Sequence, residues 1–309
     1  MLKFSTLLRK LRKENNLSQA DLVDALTQLE PELQNITVVT LSRWERDITE
    51  PPLNRMLKVL KYFNYDTIHF LKYINYIPSK NQVASFEKGL SKIIGWHLFG
   101  IFSIRDPDSI CSIKFSMSNL EKRPLKYQLL NRINYVTAFN SGCRMKSLSK
   151  QDINSLNKSM RDGRLVALAC EDTLNKSILA HGCNIVFDSN LRNFYKKKLD
   201  IRDLSIVDFV NHDTFEKADI LVTPLLLFSE DWFKFFLKGL VELGAKHKEV
   251  DMIYMFVSRS EALKVYESIG FELVYSYKTF DTSKRFVVGC KFEKFITNHG
   301  FLKYIKSYL

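Results

Sequence analysis

The first 75 residues carry five short apolar stripes at helical spacing, and so many short amphipathic segments in so little chain predict a small all-helical bundle. Phe4, Leu7, Leu8 and Leu11 form the first stripe, with Arg9, Lys10, Arg12 and Lys13 facing away from it. Asn15-Asn16 ends that helix. Ser18 to Asp21 then has the pattern of a capping box: the serine hydroxyl accepts from a free backbone N–H, and the carboxylate reaches back. Leu22, Val23, Ala25, Leu26 and Leu29 supply the buried side of the second helix, which Glu30-Pro31 ends or bends. A third helix is predicted from about Thr37 to Arg46, with Val38 or Val39, Leu41 and Trp44 inward and Thr40, Ser42 and Arg43 outward. Pro51-Pro52 precede a fourth, with Leu53, Met56, Leu57 and Leu60 inside, because proline is tolerated where a helix begins. A fifth follows through Ile68, Leu71 and Ile74.

Periodicity alone does not distinguish one small bundle from another. The motifs do. Leu17-Ser18-Gln19-x-x-Leu22, then Thr40 to Arg46, then the prolines, resembles the helix-turn-helix domain of the phage lambda repressor and Cro type. That resemblance implies double-stranded DNA as partner, with the third helix in the major groove. Thr37, Val38, Thr40, Ser42 and Arg43 would then face base edges, and Gln19 would touch a phosphate or reach into the groove. Ser18, Leu22, Trp44 and Glu45 match structural positions, with Glu45 paired to Arg9 or Arg12. Arginine can give a guanine two hydrogen bonds and so read sequence, whereas Lys10 and Lys13 near phosphates add affinity with little choice of base. The resemblance further implies a homodimer on two half-sites. One departure stands out: Thr27 to Ile36 puts extra residues where the family has a three- or four-residue turn.

The wider composition agrees with an anionic partner. The chain of 309 residues has a formal net charge of +12, which draws in nucleic acid, an anionic membrane or a phosphate-bearing molecule alike. Lys3, Arg9, Lys10, Arg12 and Lys13 crowd the start against Glu14, while the run from Arg192 to Lys198 is expected to be a solvated face. Five cysteines with no C-x-x-C pair point to free thiols in a reducing, cytoplasmic setting. No signal-like opening and no run of the length needed to span a bilayer are present, so no membrane role is expected. His97, His181 and His212 stand apart, and no metal-ligand spacing emerges.

After Tyr76 the pattern changes. Residues 76–95 are expected to form a linker or connector, with a helix over 82–94 as that connector or as a dimer element. Residues 96–309 are expected to form an α/β domain with a mixed sheet. Strands are predicted at Trp96–Ile104, Ile110–Met117, Leu165–Cys170, Ile178–Val186, Ile220–Phe228, Met252–Val257, Phe271–Tyr277 and Arg285–Phe292. Helices are predicted at Leu125–Val136, Leu148–Met160, Asp231–Leu243, over the residues after a capping box at Ser258–Glu261, and along the tail from Phe301. The fold class is therefore multidomain: an all-α five-helix domain followed by an α/β domain, clearest over 219–295.

Met255-Phe256-Val257, leading into Ala262-x-x-Val265-Tyr266-Glu267-x-x-Gly270-Phe271, resembles the C-terminal half of the GCN5-related N-acetyltransferases. The resemblance implies acyl-coenzyme A as ligand, Tyr266 as general acid, and a glycine-rich phosphate cradle over the stretch from Leu227 to Trp232, with Ser229 a candidate ligand-site residue. The segment Leu227 to Trp232 has no glycine and places Glu230 and Asp231 in the first helical turn, where they would repel a pyrophosphate. Lost ligand use is the better expectation, with Tyr266 a packing residue; no general base stands out beyond the available carboxylates Glu171, Glu216 and Asp219. Three functions stay open: a DNA-binding regulator with a small-molecule or protein effector at its second domain, an acyltransferase targeted by its first domain, and a partner-controlled phage-type or antitoxin-like repressor.

Overall fold

The computed structural model describes residues 2–29, 31–74, 76–77, 79–102, 113–117, 130–131, 133–135, 137–138, 144–172, 177–192, 203–210, 216–223, 229–247, 249–279 and 282–306. These fall into two compact units, one made of Met1–Ser79 with Lys306–Leu309, the other of Lys80–Ile305.

The first unit holds α1 (Phe4–Glu14), α2 (Gln19–Leu29), α3 (Val38–Glu45), α4 (Leu53–Tyr62) and α5 (Thr67–Tyr73), with a 3-10 turn at Pro31–Leu33. Leu8, Leu22, Leu41, Met56, Leu60 and Phe70 are each fully buried. Each such side chain contributes about 2 kcal/mol of hydrophobic stabilisation before chain entropy is counted. Polar residues in left-handed backbone close three of the helices: Asn16 (φ 55°) after α1, Asp47 (φ 62°) after α3 and Asn64 (φ 53°) after α4. Asn and Asp tolerate that conformation at helix ends better than other side-chain-bearing residues.

The extra residues between α2 and α3 are tied down. Leu33 and Ile36 are buried, Glu32 takes Lys58 Nζ at 3.3 Å, and Asn54 donates to the same carboxylate at 3.3 Å. The insertion is thus packed against α4 and leaves α3 free to begin at Val38. Thr37 caps it, its hydroxyl accepting from Thr40 N at 3.2 Å.

The second unit opens with α6 (Lys80–Phe102), so Trp96–Phe102 continues a helix and is not the expected strand. Its central sheet runs β1 (Ile113–Met117), β3 (Leu165–Asp172), β4 (Ser177–Asp188), β6 (Ala218–Val222), β7 (Val250–Val257), β9 (Lys284–Lys291) and β8 (Glu272–Lys278), in that spatial order. Every pair is antiparallel except β6–β7. That parallel pair needs a crossover, which α8 (Glu230–Lys246) provides. β2 (Arg144–Met145) and β5 (Asp203–Leu204) make a separate two-stranded ladder.

One face of the sheet is covered by α7 (Lys150–Arg161) and its neighbours, with Leu156, Leu165, Ile185, Phe187 and Phe256 in a shared core. α7 starts in a reciprocal capping box, Ser149 with Asp152. The opposite face carries α6, α8, α9 (Ser260–Ser268), α10 (Phe292–Ile296) and α11 (His299–Lys306). The expected capping box at Ser258 does not form: Arg259 is the N-cap residue of α9, without a side-chain cap. Gly270 follows α9 at φ 101°, the left-handed position that glycine suits. At the register shift where β6 meets β7, the fully buried Asp219 accepts from Met252 N at 3.1 Å and from the Arg192 guanidinium, which also reaches Asp251 at 2.9 Å. An N–H left over by the shift is satisfied in this way. The parts of the expected elements at 103–104, 110–112, 125–129, 132, 136 and 224–228, and the basic run beyond Arg192, lie outside the described residues.

Candidate functional site

Helix α3 is held from behind. Leu41 and Trp44 are buried, and Phe4 of α1 meets the Trp44 ring edge-on at 6.5 Å. Glu45, buried at the end of α3, is the hub. Arg12 Nε donates to its Oε1 at 2.5 Å and Nη2 to its Oε2 at 2.9 Å, a two-pronged contact. Gln19 Nε2 donates to Oε2 at 2.7 Å, and Arg9 Nη2 donates to the Glu45 backbone carbonyl at 2.6 Å. Arg12 also reaches Leu17 O at 2.8 Å. One carboxylate therefore clamps the third helix to the first two. Desolvation pushes the Glu45 carboxyl up, but the bonds from Arg12 and Gln19 and the charges of Arg12 and Arg9 outweigh it, leaving it below the usual carboxylate range.

The arginines on α1 divide the two roles that spacing left between them: Arg12 takes the carboxylate and Arg9 the carbonyl. Gln19 is placed on Glu45, an interaction across 26 residues that no local pattern signals. Ser18 and Asp21 form the reciprocal box at the start of α2, with Ser18 N to Asp21 Oδ2 at 2.8 Å and Asp21 N to Ser18 Oγ at 3.1 Å. Leu22 is fully buried behind it.

The outer side of α3 is open. Thr37 and Arg43 are exposed, and Thr40 and Ser42 are half-buried. Neither valine turns inward: Val38 is 42% and Val39 61% exposed, because the helix begins after Thr37 and Leu41 takes the first inward position. The Arg43 guanidinium forms no hydrogen bond among the described residues, and Arg46 beside it donates to Ser42 O at 3.3 Å. Lys13 is exposed one turn beyond Arg9, and Lys10 makes only a loose 3.7 Å contact with Glu14. Replacing Thr37 with alanine removes the cap and is expected to cost about 1 kcal/mol, read as a fall in the urea midpoint of the first unit.

In the second unit, the helix end where the sequence resemblance implies a phosphate cradle is the start of α8. Ser229 caps α8, its hydroxyl accepting from Trp232 N at 3.1 Å. Glu230 and Asp231 stand exposed in the first turn, and Lys234 engages both, at 3.0 and 3.4 Å. Two carboxylates at that helix end favour an empty terminus over a bound phosphate. Tyr266 on α9 packs edge-on against Phe271 at 5.8 Å, and burial pushes its phenol up to about 12. It borders a cavity of about 40 Å³ otherwise lined by apolar side chains, among them Phe86 and Leu90 of α6 and Phe233 of α8. A Cβ on Gly89 would lie 3.1 Å from Val265, so α6 packs closely on α9. At the start of α8 the acidic first turn opposes a pyrophosphate; residues 224–228 before it lie outside the described residues. Among the described residues no group of His, Cys, Asp or Glu is placed to hold a metal ion, and no helix is long and apolar enough to cross a membrane.

Residues 8–70 match the family model described as helix-turn-helix, and the all-helical first unit is a domain of that kind. No curated protein matches the chain. Among solved structures, a putative acetyltransferase from Acinetobacter baylyi is 12% identical over 59% of this chain and 94% of its own, with a TM-score of 0.35. An N-acyl amino acid synthase from uncultured soil microbes is 9% identical over 60% and 95%, at 0.37. Spermidine N-acetyltransferase from Vibrio cholerae, in complex with CoA and spermine, is 12% identical over 59% and 98%, at 0.34. These are weak likenesses of fold to acetyltransferase-type proteins, and nothing about activity follows from them.

Proposed function

We propose that the chain is a sequence-specific DNA-binding regulator that acts as a homodimer, with the second unit serving assembly or effector binding. The observation that carries this reading is the two-sidedness of α3. Leu41, Trp44 and Glu45 are buried and braced by α1 and α2, while Thr37, Val38 and Arg43 are presented outward. A helix fixed so firmly on one side and so open on the other suits insertion into a major groove. Arg43 would read a guanine, Val38 a thymine methyl, and Thr37, Thr40 and Ser42 polar base edges, with Gln19 near the phosphates. Lys10 and Lys13 would add affinity regardless of sequence.

Selection from a randomised duplex pool is the test, and failure to enrich any motif at near-physiological salt removes the proposal. Arg43→Ala is expected to relax one position of the enriched motif by about tenfold, the scale of one two-pronged arginine–guanine contact. Lys10→Ala is expected to weaken all sequences alike and to flatten the salt dependence. Identical behaviour of the two variants would refute this assignment of contacts.

A further inference from the structure

Val39 is 61% exposed, more than any other large apolar side chain in the described helices and strands. It is the second residue of α3, and Val38 beside it is 42% exposed. Arg43 stands four residues on, so the two share a helix face, with Cβ atoms about 5–6 Å apart. Arg43 is exposed as well. No acid lies between residues 37 and 43, so the guanidinium meets no carboxylate on its own face. Arg46, three residues further, is turned back on the helix and donates to Ser42 O at 3.3 Å. The face is held in place from behind, where Leu41, Trp44 and Glu45 are buried.

The two side chains need different groups. Valine offers methyls and no hydrogen bond, and the apolar group on the major-groove edge of a base pair is the C5-methyl of a pyrimidine. Arginine takes the O6 and N7 of a guanine. The reach of each fits its place. Valine is short and stands in the first turn, the end of a recognition helix that comes nearest the bases, while arginine is long and stands one turn back. Base pairs stack about 3.4 Å apart, so a Cβ separation of about 5–6 Å spans one or two steps. We propose that Val39 and Arg43 read one composite feature, a pyrimidine methyl within two base pairs of a guanine. The methyl is that of thymine or of 5-methylcytosine, which present it at the same place in the groove. The inference rests on the DNA reading above, adds Val39 to its contacts and names the bases.

Selection by the full chain from two pools names the source of the methyl, one pool of ordinary bases and one with 5-methylcytosine in place of cytosine. A thymine near the guanine in the first pool, or a methylated cytosine there only in the second, is the expected result. Fluorescence anisotropy on the enriched duplex at fixed salt then removes the methyl alone. Deoxyuridine for thymine, or cytosine for 5-methylcytosine, keeps every polar group of the base. Within two base pairs of the guanine that Arg43→Ala ceases to select, one such change is expected to raise Kd about fourfold, the loss of one buried methyl. No fault in protein folding can imitate it, since only the DNA is altered. Val39→Ala is expected to bind the methyl-bearing duplex about fourfold more weakly and the stripped duplex about as the wild type does. An enriched motif with no pyrimidine methyl near that guanine, an unchanged Kd on stripping it, or a Val39→Ala chain that still tells the two duplexes apart overturns the proposal and leaves the DNA reading standing. A chain that enriches nothing from either pool removes the DNA reading and this inference with it.

Discussion

Glu45→Ala is expected to cost the first unit about 3 kcal/mol. The substitution leaves the Arg12 guanidinium, itself largely buried, without the carboxylate that its Nε and Nη2 bond. Removing one member of a buried pair costs about that much, because the other charge stays desolvated and unpaired. Gln19 loses its acceptor in the same step. Urea unfolding followed by amide exchange in α1 and α3 measures the change, and a loss under about 1 kcal/mol would refute the clamp, being within reach of an exposed pair. The effect has a pH signature. A carboxyl held below its ordinary value contributes stability that is fully present above the unfolded value of about 4.3 and is lost as pH falls through the folded one. The gap between wild type and Glu45→Ala should therefore narrow in acid.

Phe86→Ala is expected to weaken the second unit by about 3–5 kcal/mol, the usual cost of emptying a buried phenylalanine site. Phe86 is 3% exposed and meets Phe301 at 4.6 Å, Tyr304 at 5.7 Å and Phe233 at 5.9 Å. A Cβ on Gly300 would fall 2.2 Å from its ring, so the packing is tight and unlikely neighbours are brought together. Amide protection should drop in β6, β7 and α8 while α1 and α3 keep theirs. If instead only the first unit loses protection, α6 is a tether and not a core helix.

The contrast between those two sites explains what was legible from the residues. In the first unit the information is local. Caps, apolar stripes and prolines mark each helix within a few positions, so all five could be drawn from sequence. What escaped was the non-local bond from Gln19 to Glu45 and the outward turn of both Val38 and Val39, which depends on where helix α3 begins. In the second unit the alternation of elements was readable, and the mixed α/β class followed. The run from Trp96 to Phe102 was not, since a continuous apolar stretch suits a buried helix as well as a strand. Ser258 offered a capping pattern that the backbone bypasses by starting α9 one residue after Arg259. The candidate interface on α3 was named from motif, whereas the place of β8 at one end of the sheet needed the strand order, which no spacing reveals.

The packing of Phe86 against Phe301 joins the first and last helices of the second unit across more than two hundred residues. On the ribosome, that core must wait for α11 to emerge, while the five helices of the first unit, and the residues that brace α3, all lie within residues 4–73 and leave the exit tunnel early. During synthesis, therefore, α3 is fully assembled long before the unit behind it has closed. A nascent chain stalled between the end of β9 and Phe301 would display a braced α3 beside an unfinished apolar surface, a state exposed to chaperones and proteases.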